Sequence, residues 1–202
     1  EFHVECDHAT PAVLLLTVRP ERRRFLLNED AVEIYGATPP ETFIDSFGNF
    51  ATRAMLPAGR RATIRVDGLV LDSGRPDPVV ADARATPIEA LPPTVLPFLM
   101  SSRYCEVDLL TDFAWAVFEQ IVSFFKHSAQ ALEERVGVCR DFAHLAVALC
   151  RAMGMPARYT TGYLGDIGVP ASPSPMDFSA WFEGWLDRQW FAFDARHNTP
   201  RI

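Results

Sequence analysis

Cys139 is the residue of this chain best placed to act as a nucleophile, because the sequence starts a helix at it. Phe142, Leu145, Ala146, Leu149, Cys150 and Met153 fall at i, i+3, i+4, i+7, i+8 and i+11, the spacing of one buried helical stripe. Gly154 and Pro156 then stop the helix. Cys139 stands three residues before Phe142, so its thiol is expected to leave the first turn on the face that meets the core. Unpaired N–H groups and the positive end of the helix dipole stabilise a thiolate, which is the reactive form. Position alone still favours the plainer reading, a small apolar residue at a helix start.

The residues that follow must supply the rest of any site. Ala157 to Leu164 has the β-branched and aromatic content of a strand. Gly165 to Phe178 is rich in Gly, Pro and Ser and reads as a loop. SAWFEGWL and QWFAFD then flank Asp187-Arg188 as a β-hairpin whose second strand closes on Asp194.

This order of elements resembles the transglutaminase-like superfamily, the papain-type cysteine acyl-transfer enzymes and their bacterial relatives. The resemblance rests on Gly137-Val138-Cys139 at the helix start and Gly154-Met155-Pro156-Ala157-Arg158 leading into the strand. Ala180-Trp181-Phe182-Glu183 on the hairpin and Phe193-Asp194 at its end complete it, so it covers residues 137 to 202. It implies a Cys-His-Asp set in which a thiolate attacks an amide carbonyl, a histidine moves the proton, and an aspartate orients the histidine. Cys139 takes the place of the nucleophile and Asp194 that of the aspartate. The family's histidine immediately precedes the Ala-Trp of the hairpin, and here that position is Ser179.

Two functions follow from the resemblance. One is a cysteine-dependent amide hydrolase or acyltransferase acting on a peptide or protein, slowed about 10²- to 10⁴-fold by the missing imidazole. The other is a catalytically silent fold that binds a peptide or partner protein in the old cleft. No cofactor is implied by either.

Substitutes for the histidine can be weighed from spacing. His144, five residues after Cys139, lies about 140° around the helix and is expected to face away from the thiol. Pairing the hairpin about Arg188 sets His197 opposite Ser179, although a slip of one residue would turn the ring to the other face. The plainer reading of His197 is a surface histidine in the Arg196-His197-Asn198-Thr199 turn. Ser179 has no recognisable base beside it and reads as a hydrogen-bonding strand residue. Trp181 and Trp185 could line a cleft, but such residues are more often core. Cys105 reads as packing. His3, Cys6 and His8 are crowded like metal ligands, yet Cys6 and His3 fall on opposite faces of a strand, so no metal site is expected.

The composition suits a soluble globular protein: 202 residues, 49% hydrophobic and 22% charged. A net charge of −7, with no basic run beyond Arg22-Arg23-Arg24, argues against nucleic acid as a partner. Ala12 to Val18 is too short to span a membrane, which takes about 20 apolar residues. Four scattered cysteines make no disulfide framework and no signal-peptide pattern opens the sequence, so the cytoplasm is the expected compartment.

From Glu1 to about Val80 short strand-like runs alternate with turns: Phe2–Cys6, Val13–Val18, Phe25–Leu27, Val32–Tyr35, Phe43–Phe47, Phe50–Met55, Ala62–Val66 and Leu69–Leu71. Gly48-Asn49 marks a tight hairpin. This predicts an antiparallel β-sandwich over residues 1–80. The Pro-rich stretch from Asp72 to Pro93 carries the boundary. A helix capped by Asp108 or Thr111 runs to about Lys126, with Trp115, Phe118, Val122 and Phe125 on its apolar stripe, and Ala129 to Arg135 adds a shorter one. The expected fold is therefore α+β: an N-terminal sandwich followed, over residues 81–202, by a papain-like, transglutaminase-like core. The family sheet usually gains strands after the aspartate, so against the resemblance the end at Ile202 is abrupt.

Overall fold

The computed structural model describes residues 1–75, 77–124, 138–163 and 178–197. The chain forms two compact units, Glu1–Arg75 and Pro76–Ile202. The first holds strands β1 (Phe2–Glu5), β2 (Thr10–Leu14), β3 (Glu33–Tyr35), β4 (Glu41–Ile44), β5 (Phe50–Leu56) and β6 (Arg61–Arg65). They make two three-stranded antiparallel sheets, ordered β1-β6-β3 and β2-β5-β4.

Alternation in β6 is as the sequence predicts: Ala62 and Ile64 are buried while Arg61 and Arg65 are exposed. The β4–β5 turn is closed by Asp45, whose Oδ1 accepts the N–H groups of Phe47 (2.8 Å) and Asn49 (2.9 Å). Gly48 there has φ 82°, a conformation that favours glycine. Two expected strands fail. Pro20–Phe25 winds into a 3₁₀ helix that takes in the first residue of the expected Phe25–Leu27 strand and carries Arg23 to the buried Asp30 at 2.8 Å. Phe25–Leu27 and Leu69–Leu71 meet through two backbone bonds of 2.8 Å without forming a strand pair. The strand expected over Val13–Val18 is β2 and ends at Leu14.

The second unit begins with 3₁₀ turns at Ile88–Ala90 and Leu96–Leu99. Two helices follow, α1 (Val107–Phe124) and α2 (Cys139–Ala152), then β7 (Ala157–Tyr163), β8 (Phe178–Leu186) and β9 (Gln189–Phe193) in one antiparallel sheet ordered β7-β8-β9. The class is α+β.

Helix α1 starts earlier than the caps proposed for it. Asp108 lies in its first turn, and the Thr111 hydroxyl donates back to the Val107 carbonyl at 2.9 Å. Its buried face is also rotated: Ala114 is fully buried while Trp115 is exposed. Phe118, Val122 and Phe125 lie outside the residues whose side chains are described, as do the expected Ala129–Arg135 helix and the loop over residues 165–177.

Helix α2 begins at Cys139 and is stopped at Gly154, which adopts φ +72°. Its buried residues are Ala143, Val147, Ala148 and Cys150, not the larger residues of the expected stripe, which are only half-buried apart from Cys150. Small side chains along this line let the helix approach the sheet, and Phe142, Leu145 and Leu149 flank the contact. Val147, Ala148 and Cys150 pack with Cys105, Ala157, Tyr159 and Phe182. On the opposite face of the sheet Trp185 and Trp190 pack with Leu91, Val95 and Leu99.

Candidate active site

The site is built where α2 begins. Four residues, Met153 to Pro156, reverse the chain from α2 into β7, so helix and strand run antiparallel. The helix N-terminus therefore lies toward the C-terminal end of β7. The contacts step along in that direction: Cys150 packs near Ala157, and His144, nearly two turns earlier, stacks on Tyr159 with ring centroids 4.3 Å apart and planes 8° off parallel. The far end of β7 pairs with the start of β8, Gly162 with Ser179 and Tyr163 with Phe178. The end of β9 pairs further along β8, Phe193 with Phe182. Cys139, Ser179 and Asp194 thus stand at the start of α2, in β8 and one residue past β9, and no hydrogen bond or ion pair joins them among the described residues.

Cys139 is the first residue of α2, a free, half-buried cysteine. The N-cap is Val138, which has no capping side chain. Its own N–H donates to Asp141 Oδ2 at 3.1 Å, and its carbonyl accepts from Asp141 (2.9 Å) and Phe142 (3.3 Å). The N–H groups of Cys139 and Arg140 find no acceptor among the described residues. Free amides at a helix start are suited to hold an oxyanion developing beside the thiol.

Ser179 contributes little that is polar. Its carbonyl accepts from the Thr161 hydroxyl at 2.9 Å, but its own hydroxyl has no hydrogen bond among the described residues. Strand alternation puts Ser179 on the same face as Trp181, with Ala180 and Phe182 on the face packed against α2. Asp194 follows Phe193, whose ring stacks on Phe182, so Asp194 belongs to the Ser179 face. Trp181 is half-buried across Gly162; a Cβ on that glycine would come 3.1 Å from the indole. Trp185 is core.

Asp194 is already occupied. Its Oδ1 accepts the N–H groups of Arg196 (2.9 Å) and His197 (3.1 Å), and its Oδ2 meets His197 Nδ1 at 2.6 Å. Burial works to raise this carboxyl, but the bonds from the His197 ring and backbone outweigh it and hold the group below the ordinary carboxylate value. The expected pairing of His197 with Ser179 is corrected by one residue. The hairpin turns between Asp187 and Arg188, both with positive φ (43° and 66°), so Trp185 pairs with Trp190 and Leu186 with Gln189. Continuing that register would set Arg196 opposite Ser179, and the ladder ends at Phe193 before reaching it.

His144 is also placed differently from expectation. It sits between Tyr159 and Tyr104 (5.4 Å between centroids), with Nδ1 3.9 Å from Cys105 Sγ. Burial, and then the charge of Arg140, hold its imidazole below the usual value. Tyr159 is the residue that spacing could not reveal. Burial pushes its phenol up, a bond with Thr161 lowers it, and the Cys139 charge raises it again, which places Tyr159 within electrostatic reach of the thiol.

Beneath the site an ion pair fixes the strands. Arg158 and Glu183 face each other in the β7–β8 register, joined by a short hydrogen bond from the guanidinium to the carboxylate. The Arg158 guanidinium also lies 4.2 Å from the Trp190 ring centroid. Both residues belong to the motifs of the resemblance, which signalled importance but not that they touch.

The His3 ring nitrogens meet Thr63 (3.1 Å) and Glu1 (3.1 Å). Among the described residues no three His, Cys, Asp or Glu side chains converge as metal ligands, and no helix is long and apolar enough to cross a membrane.

Residues 119–195 match the family model of the transglutaminase-like superfamily core. A crystal structure of a "putative cysteine protease" from Cytophaga hutchinsonii superposes with a TM-score of 0.70 at 23% identity, covering 99% of this chain and 76% of that one. At that identity it shows the shared fold. An uncharacterized protein of Mycobacterium leprae is 39% identical over 62 residues, 30% of this chain and 22% of its own length. One from Mycobacterium tuberculosis is 26% identical over 192 residues, 90% of this chain and 59% of its own. The chain thus spans less than two thirds of the length of these two mycobacterial relatives.

Proposed function

We propose that this protein is a cysteine-dependent acyl-transfer enzyme acting on amide bonds of a peptide or protein, with Cys139 as nucleophile and water or an amine as acceptor. The observation that carries the reading is the half-buried Cys139 at the first position of α2, beside amides with no acceptor among the described residues. A thiolate there attacks the carbonyl carbon, the amides hold the oxyanion, and the acyl group leaves on the next nucleophile. A peptide-binding role without turnover is the second reading, favoured by Ser179 in the histidine position.

Iodoacetamide labelling with peptide mapping separates the two. Cys105 and Cys150 are poor comparators because they are buried, and burial pushes the Cys150 thiol up to about 12. Cys6, half-buried like Cys139, is the fair one. Cys139 is expected to label about tenfold or more faster than Cys6 at pH 7, with loss of p-nitrophenyl acetate hydrolysis in step. Equal rates at every pH would establish the binding reading instead.

A further inference from the structure

Tyr159 carries a hydroxyl that its place in the core does not require. Its ring packs against the buried cluster of Cys105, Val147, Ala148 and Cys150 under α2, and it stacks on His144 with centroids 4.3 Å apart and planes 8° off parallel. A phenylalanine would fill that place equally well. Tyr159 is half-buried, whereas Thr161, two residues on and on the same face of β7, is exposed. The cover over the ring therefore thins toward the C-terminal end of β7.

The neighbours of the phenol show where it ends. The Thr161 hydroxyl, which gives a 2.9 Å bond to the Ser179 carbonyl, also meets the Tyr159 phenol. The phenol thus points along β7 toward the end where the antiparallel α2 begins. From His144 back to Cys139 the helix covers about 7.5 Å, and from Tyr159 to Thr161 the strand covers about 6.6 Å. Stepping back from the His144 stack therefore brings the start of α2 over the phenol end of the ring. The charges agree: those acting on the phenol are Cys139, Arg140 and Asp141, the first three residues of α2. Those acting on His144, at the other end of the contact, are Arg140, Asp141 and Arg151, without Cys139.

Phenol and thiol are neighbours that do not bond, since no hydrogen bond joins them among the described residues. A group that enters between them meets a donor on one side and a nucleophile on the other. Burial, and then the Cys139 charge, hold the phenol above its usual value against the pull of Thr161. The hydroxyl is therefore a protonated donor throughout the neutral range.

Resting on the acyl-transfer reading above, we propose that the Tyr159 hydroxyl donates a hydrogen bond to the oxyanion formed at Cys139, beside the N–H groups of Cys139 and Arg140. The thiolate forms its bond to the carbonyl carbon as the carbonyl π pair moves onto oxygen, where the three donors meet it. Tyr159 keeps its proton throughout. The pair returns as the carbon–nitrogen bond breaks, and the leaving amine takes its proton from water. The hydroxide so formed cleaves the thioester to carboxylic acid and thiolate, so amide and water become acid and amine with nothing left over.

The test compares wild type with Tyr159→Phe, which keeps the ring on His144 and removes the hydroxyl alone. Two reactions of Cys139 are timed at one pH: acylation by p-nitrophenyl acetate, read as the burst of p-nitrophenolate, and alkylation by iodoacetamide, read by peptide mapping. Acylation passes through an oxyanion; alkylation, at a saturated carbon, does not. Tyr159→Phe is expected to lower the acylation rate about 10²- to 10³-fold and to leave alkylation at its wild-type rate. Thr161→Val, which frees the phenol but retains it, should lower acylation by a smaller factor. An unchanged burst in Tyr159→Phe would make the residue a packing group and leave the acyl-transfer reading intact. Equal falls in acylation and alkylation would do the same, by showing that the phenol acts on the thiol or its helix rather than on the oxyanion. No acylation of Cys139 in wild type, or an undiminished burst in Cys139→Ala, would overturn both.

Discussion

Arg158→Ala is expected to destabilise the C-terminal unit by about 3 kcal/mol. The guanidinium and carboxylate of the Arg158–Glu183 pair are 17% and 19% exposed, so the pair lies between two known limits. Removing one partner of a fully buried pair costs about 3–5 kcal/mol, and an exposed pair is worth about 0–1. At a fifth exposed, roughly 2 kcal/mol follows from leaving Glu183 unpaired. The cation over Trp190 at 4.2 Å adds about 1. For a unit spanning Pro76–Ile202, that loss lowers Tm by about 10–15 °C. Urea titration followed by tryptophan fluorescence measures it, since Trp190 lies under Arg158 and Trp185 packs on Trp190. Glu183→Gln, which keeps an acceptor and the cation–π contact, should cost less, about 1–1.5 kcal/mol. Arg158→Ala with Glu183→Ala should be less damaging than the two single losses added, by about 1–2 kcal/mol. A loss under about 0.5 kcal/mol for Arg158→Ala, or strict additivity in the double variant, would refute the assignment of this pair as the clamp between β7 and β8.

Ser179→His should raise anilide turnover by about two powers of ten or more where the ring finds the thiol. The gain must vanish when Cys139→Ala is added; a gain that survives it is imidazole chemistry unrelated to the site. Val147→Ala, at a residue with no exposed surface, should cost about 2–3 kcal/mol by cavity formation, read from the urea midpoint. Asp45 supplies a pH test in the first unit. Burial acts to raise its carboxyl, and the bonds from Asn49, Phe47 and Gly48 bring it below the ordinary value. A depressed folded-state value contributes stability that is present above the unfolded value, about 4, and lost as pH falls through the folded one. Asp45→Ala should therefore cost about 1 kcal/mol at pH 7 and progressively less below pH 4; a constant difference down to pH 2 would contradict the bonding described.

The sequence by itself determined the elements around the site and where they begin and end. A cysteine before an apolar helical pattern, with Gly154 and Pro156 after it, sets both ends of α2, since these signals act within a few residues of the backbone they control. The hairpin at Asp187-Arg188, Cys139 at the start of α2 and Ser179 within β8 were legible for the same reason, whereas Asp194 falls one residue past the end of β9. Tertiary structure alone decided which face of α2 is buried. Spacing favours the line of large residues, but close approach to a sheet favours Ala143, Val147 and Ala148. It also decided the hairpin register. A turn centred between two residues shifts every pairing by one relative to a turn centred on Arg188, and one step exchanges the faces of the strand. The contact of Arg158 with Glu183 depends on that same pairing of strands distant in sequence. His197 lies only three residues from Asp194, yet its hold on the carboxylate needs the strand to end at Phe193 and the chain to turn back, a path that side-chain types do not specify.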